Sequence, residues 1–324
     1  MVMVLGIDIA KAKFDIVLLR QSGSTTHKIF ANTPAGFAQL QAWLQQNKAQ
    51  RVHACLEATG TLGEALALFL FEAGHIVSVV NPAIIANYAK SQLSRTKTDK
   101  TDAHLIARFC SKEQPPAWTP APVEVRELQA LVRRLEALGE MLQMEQNRLA
   151  AGVAAPVVKT AIQEHVAYLQ EQIKQTKTLV REHIAGHPNL KNQRDLLVSI
   201  PGIAETTAAA LLAELGDVVS QFSGARQVAA FAGVIPRLRD SGTKKGHVCL
   251  SKLGTGRLRR ALYFPAMTAV RYNPPIRALS ERLSAKGKCK LLIIGAAMRK
   301  LLHVVYGVLK SGKPFDPALA AARI

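Results

Sequence analysis

The chain has 324 residues, 48% hydrophobic and 20% charged, which excludes a disordered polypeptide and leaves room for two or three domains with their own cores. Its net charge of +19 is concentrated at one end: residues 225–324 hold 20 Lys and Arg against 3 Asp and Glu, an electrostatic footprint for a polyanion such as DNA or RNA. Four scattered cysteines, without metal-ligand spacing and with no leader before them, fit a reducing cytoplasm, and apolar runs such as "LLIIGAAM" fall short of the roughly 20 residues that span a bilayer.

In chain order, "VMVLGIDIA", "KFDIVLLR" and "THKIFAN" read as three antiparallel strands. A helix follows over 34–46, with Phe37, Leu40, Trp43 and Leu44 on one face. The strand "RVHACLEA", a helix near 62–72, the strand "HIVSVVN" and helices from Pro82 and Asp99 complete an α/β pattern, the order expected of a ribonuclease-H-like domain over 1–118. Four prolines in "KEQPPAWTPAP" mark a linker. Over 119–190, Leu128, Leu131, Leu135, Leu138, Leu142 and Leu149 form a heptad seam broken at Glu145, and Val158 to Ile184 repeat it. Such helices make either a hairpin within the chain or a coiled coil between copies; a narrow seam on polar helices favours the homo-oligomer, dimer or tetramer. Residues 191–324 read as a mostly α-helical domain. It opens with two helices around "IPGI", similar to a helix-hairpin-helix unit whose backbone N–H groups hold a phosphate.

Four carboxylates stand out. Asp8 sits on the strand face opposite Leu5, Ile7 and Ile9, where an acid is costly unless paired or metal-bound. Glu57 ends a strand just before a turn, where open α/β sheets place their functional crevice. Asp99 and Asp102 lie three apart at a helix start, on one face. Each alone has an ordinary explanation: Thr98 or Asp99 as a helix cap, Asp102 as a first-turn acid, Glu57 as another helix-start acid and Asp8 as a paired structural acid. Together they suit one or two Mg²⁺ ions beside a phosphodiester, with Lys11, Arg95, Lys97 and Lys100 near the phosphate backbone. In the basic third, Ser241 lies in the flexible loop "DSGTKKG", while Ser251 reads as a helix-start cap or phosphate contact. Lys244, Lys245, Lys252, Arg257, Arg259 and Arg260 are candidate phosphate contacts.

In this order and over almost the whole chain, "GIDIAKAKFD", "LEATG", "TKTDKTDAHLIARF", "IPGI" and "SGTKKG…LSKLGTGRLRRALY" resemble the DEDD-type insertion-sequence transposases of the IS-one-ten family. The resemblance implies a RuvC-like domain joined through a coiled coil to a transposase domain, with Asp8, Glu57, Asp99 and Asp102 as the acidic tetrad and Ser241 as nucleophile. It further implies a phosphoserine–DNA intermediate, a noncoding bridge RNA pairing with target and donor DNA, and active-site halves supplied by different protomers. On the residues alone two other readings stay open: a RuvC-type, metal-dependent junction nuclease that uses water, and a non-catalytic nucleic-acid-binding protein whose acids are structural.

Overall fold

A computed structural model describes residues 2–58, 60–92, 98–216, 222–237 and 249–318. The chain divides into two units, Met1–Pro120 and Ala121–Ile324.

In the first unit, apolar alternation produces five strands: β1 (Met3–Ile9), β2 (Lys13–Leu19), β3 (Thr25–Ala31), β4 (Val52–Glu57) and β5 (Ile76–Val80). Their order is β3-β2-β1-β4-β5, antiparallel across the first three and parallel from β1 through β5. The helices are α1 (Pro34–Gln46), α2 (Glu64–Glu72), α3 (Pro82–Ser91) and α4 (Asp99–Glu113). One sheet face buries Leu5, Ile7, Phe14, Ile16 and Leu56 against Phe37, Leu40 and Leu44 of α1 and Leu66 and Leu70 of α2. The other buries Val4, Val17, Cys55 and Val80 against Ala103, Ile106, Ala107 and Cys110 of α4. Gly6 makes the second packing possible, since a Cβ there would stand 2.3 Å from both Ala103 O and Ala107 N. Only a residue without a side chain lets the helix backbone lie so close to β1.

The proline-rich stretch is not a free linker along its whole length. Trp118 N donates to Val77 O at 2.6 Å, and Ser78 Oγ donates to Pro115 O at 3.0 Å and Pro116 O at 2.8 Å. These bonds lay its first half along β5.

The second unit begins with α5 (Val123–Ala150) and α6 (Pro156–Gly186), which pack on each other as a helical hairpin. Of the two arrangements the seam allows, the structure shows the hairpin within the chain, with Leu128 and Leu138 of the seam buried and Leu131, Leu135, Leu142 and Leu149 half-buried. Glu145, which interrupts the seam, is buried, and its Oε1 meets Arg148 Nη1 at 2.9 Å and His165 Nδ1 of α6 at 3.1 Å. An acid is thus accommodated in the seam by partners that reach it from both helices.

The base of the hairpin (Val125, Leu128, Val180, Ile184) shares a core with α7 (Pro188–Val198), α8 (Glu205–Leu215), α9 (Ala225–Phe231), α10 (Gly256–Tyr272), α11 (Pro274–Ala285) and α12 (Lys290–Ser311). Short strands β6 (Pro236–Arg237) and β7 (Cys249–Leu250) pair antiparallel. In the α7–α8 turn, Gly202 has φ +105°, and a Cβ there would meet Ala269 Cβ at 2.9 Å. The glycine of the helix-hairpin-helix-like segment is therefore used for close packing on α10.

Helix α12 is long and apolar enough to cross a bilayer by composition, yet Leu301, Leu302 and Val305 are fully buried in this core. On the same helix His303 is half-buried among Arg299, Lys300 and Arg226; desolvation first, then these cations, pulls its pKa from 6.5 to about 4. The unfolded chain therefore binds the His303 proton more readily than the folded one between those pH values. Stability from this group is full above about pH 6.5 and declines as pH falls toward 4, by roughly 3 kcal/mol at most. Denaturant titrations across this window should show the decline in wild type, and a His303→Leu chain should flatten it.

Candidate active site

Strand register decides which side chains meet. Asp8 stands opposite Asp15 across the β1–β2 pair, and Glu57 ends β4 one step beyond the parallel pair Ile7–Leu56. By the two-residue alternation Asp8, Asp15 and Glu57 share the face that carries Val4, Gly6, Val17 and Cys55, the face covered by α4. Ala103 lies over Gly6, and Asp99 bonds Lys13 at the turn end of β2; these two contacts fix the direction of α4. Its first turn, with Asp99 and Asp102, overlies the C-terminal end of β1. All four sequence-predicted acids are thus at one end of one sheet face.

The start of α4 follows from its sequence. Thr98 is the N-cap: Thr101 N donates to Thr98 Oγ1 at 3.2 Å and Thr98 N donates to Thr101 Oγ1 at 2.8 Å, a reciprocal capping box. With Thr98 as the cap, Asp99 and Asp102 are first-turn acids that favour the helix dipole. Asp8, Glu57 and Asp102 are half-buried, and Asp99 is exposed.

A cation already stands among these acids, and it is Lys13. Its Nζ lies 2.8 Å from Asp99 Oδ2 and 3.1 Å from Asp15 Oδ2. Asp15 is buried, and its other oxygen meets His27 Nε2 at 2.8 Å. The bond to Asp99, then that to Asp15, raises the pKa of Lys13, and Lys13 holds the Asp99 carboxyl below its usual range. Among the described residues no three Asp, Glu, His or Cys side chains gather closely enough to hold a metal ion. The donor set, four carboxylates on rigid elements, suits a hard cation, and Lys13 occupies one oxygen of Asp99 in this arrangement.

Asp15, Lys13 and His27 were absent from the sequence-predicted set. An acid inside the apolar run "KFDIVLL" is a sequence signal for the first. The other two follow only from strand pairing and the docking of α4. Because Asp15 is buried and bonded to Lys13 and His27, Asp15→Ala is expected to cost about 1–3 kcal/mol. Lys13→Met should lower stability in the same direction. Asp99→Asn, at an exposed position, should change it little. Equal losses from Asp99→Asn and Asp15→Ala in chemical denaturation would contradict this ranking.

Ser241, Lys244, Lys245, Arg95 and Lys97 lie outside the described residues. The β6–β7 pair holds the two ends of the segment that contains Ser241. Lys11, Lys100, Lys252 and Arg260 are exposed, as phosphate contacts need to be. Two other basic candidates are engaged within the chain: Arg259 Nη1 donates to Ala232 O at 3.0 Å, and Arg257 Nε lies 3.7 Å from Glu136. The expected helix-start role of Ser251 is corrected as well. Thr255 caps α10, while Ser251 N donates to Ile235 O and Ser251 Oγ accepts from Leu253 N at 3.4 Å.

Comparison with known proteins bears on the whole chain. Residues 5–154 match a DEDD-type IS110 transposase model, and residues 194–281 match the model described as Transposase IS116/IS110/IS902 family. A pilin gene-inverting protein of Moraxella bovis is 37% identical over 319 residues, covering 96% of this chain and 97% of the relative. A transposase for insertion sequence element IS1328 of Yersinia enterocolitica is 27% identical over 291 residues, 81% of this chain and 82% of its own length. Both family blocks occur in order, and relatives align nearly end to end: the chain belongs to the IS110 family of insertion-sequence transposases.

Proposed function

We propose that this transposase cuts and rejoins DNA through Ser241, with Mg²⁺ held by Asp8, Glu57, Asp99 and Asp102, on a ribonuclease-H-like N-terminal unit. The observation that carries the reading is that Asp8 and Glu57 lie at neighbouring strand ends on the sheet face that α4 covers. That is the functional edge of an open α/β sheet. The end-to-end relation to proteins named for pilin gene inversion extends it to recombination between two DNA sites.

In the proposed step, the Ser241 hydroxyl oxygen bonds to phosphorus as one ester bond of the scissile phosphodiester breaks. The serine proton passes to a base and the departing deoxyribose oxygen takes one up. Rejoining reverses this with the hydroxyl of the other strand, so the phosphoserine conserves the energy of the broken bond. Mg²⁺, when bound, would offset the charge on the transferring phosphoryl group. The chain's own residues orient the ends: the capping box fixes Asp102, and exposed basic residues of the last third hold phosphates. A noncoding bridge RNA supplies sequence choice by base pairing, and a homo-oligomer brings two halves of each site together.

Purified protein on a plasmid carrying the two element ends tests this reading. Recombination should require RNA from the flanking noncoding segment, stop with a chelator and return with Mg²⁺. Undiminished recombination in chelator, or without RNA, would contradict the corresponding part.

A further inference from the structure

The last third displays part of its charge on one helix beside exposed rings. On α10, Arg260, Phe264, Met267 and Arg271 follow alternating spacings of four and three, the pattern of a single helical face, and all four are exposed. The opposite face, Leu258, Leu262, Ala266 and Ala269, is buried in the core. Phe264 is 72% exposed and Tyr272, at the helix end, 68%. A phenylalanine exposed to this extent between two arginines adds little to the core.

The ring is also held in place. The partly buried Tyr263 meets it edge-on at 5.4 Å between centroids, and Pro265 restricts the backbone of Phe264 directly beside it. At the helix end Arg271 and Tyr272 line a cleft of about 200 Å³ with Arg277 of α11, whose guanidinium also pairs with Glu281 at 3.0 Å. From the helical rise, Arg260 and Arg271 stand about 16 Å apart along the axis, with Phe264 between them.

Charge selects the occupant. A second copy would bring a last third with the same 20 basic against 3 acidic residues, whereas a polyanion is attracted. A duplex offers phosphates but hides the faces of its bases; a strand with unpaired bases offers both. We propose that the exposed face of α10 binds an unpaired nucleic-acid strand, with phosphates on Arg260 and Arg271 and a base stacked on Phe264. The inference takes its partner class from the recombinase reading above and adds a site to it. An RNA loop and a displaced DNA strand share this chemistry.

Fluorescence anisotropy of the full chain tests it, with a short mixed-sequence single-stranded DNA, the same sequence as RNA, and its DNA duplex, all at one salt concentration. Phe264→Ala should weaken binding to single strands about 5- to 100-fold while changing duplex binding less than about 2-fold. Phe264→Trp should restore single-strand binding. Arg271→Gln should lower the salt dependence of binding by about one ion for strand and duplex alike. A larger Phe264→Ala loss for RNA than for DNA assigns the site to RNA, and the reverse assigns it to a displaced DNA strand. Wild type that binds while Phe264→Ala binds single strands equally well overturns the site alone. A change of molecular mass in Phe264→Ala by light scattering also overturns it, since the face would then be a protein contact. Wild type that binds neither strand nor duplex overturns the recombinase reading together with the site.

Discussion

Replacing Gly6 by alanine is expected to destabilise the N-terminal unit by at least about 3 kcal/mol and to abolish DNA cleavage. The added Cβ would stand 2.3 Å from the carbonyl oxygen of Ala103 and the amide nitrogen of Ala107. Both are backbone atoms of α4, so no rotamer change relieves the clash; the helix must lift from β1. That helix carries Asp99 and Asp102, and lifting it separates them from Asp8 and Glu57. Adding Ala107→Gly should not rescue the variant, because it removes a side chain and leaves the backbone contact. Hydrogen exchange should locate the damage in α4, with the second unit's core amides unchanged. Wild-type protection of α4 in Gly6→Ala would show that the packing is looser than the contact implies.

Ser241→Ala is expected to reduce recombination by more than about a thousandfold, the scale on which loss of a nucleophile acts, while DNA binding survives. Its nearest rival makes a useful control. Ser251 uses its backbone amide to bond Ile235 O, and its hydroxyl accepts from Leu253 N at 3.4 Å. Ser251→Ala keeps the backbone bond and should retain activity within about 10-fold, as expected from losing one weak hydrogen bond. A Ser251→Ala chain as inactive as Ser241→Ala would assign the nucleophile differently.

Much of this architecture was legible in the sequence because it is local. Period-two alternation gave every strand of the N-terminal sheet, and Pro34, Pro82 and Thr98 marked helix starts where the structure has them. The positions of Asp8 and Glu57 on their strands followed from the same alternation. Contacts distant in sequence were not legible. Lys13 and Asp99 are 86 residues apart, and His27 reaches Asp15 only through the β2–β3 pairing. The heptad seam has one period whether its partner is in the same chain or another; the short segment after Ala150 lets α6 fold back along it. Likewise Arg259 looks like any loop-flanking arginine until the Phe231–Gly233 turn brings the Ala232 carbonyl to its guanidinium.

The presence of Lys13 among the acids links fold to chemistry. In this arrangement its ammonium offsets the negative charge of Asp15 and Asp99 and ties the start of α4 to the sheet. In the proposed metal-bound site Asp8, Glu57, Asp99 and Asp102 would hold the cation, and Lys13 would still offset the charge of Asp15.

The most direct measurement is a covalent-adduct assay: purified protein, Mg²⁺, RNA from the flanking noncoding segment and end-labelled element-junction DNA, resolved on a denaturing gel. Wild type should give a protein–DNA band that maps to Ser241 by peptide mass, requires RNA and Mg²⁺, and is absent from Ser241→Ala and Asp102→Asn. Cut DNA ends without any adduct, still formed by Ser241→Ala, would contradict the serine mechanism and assign the cleavage to water.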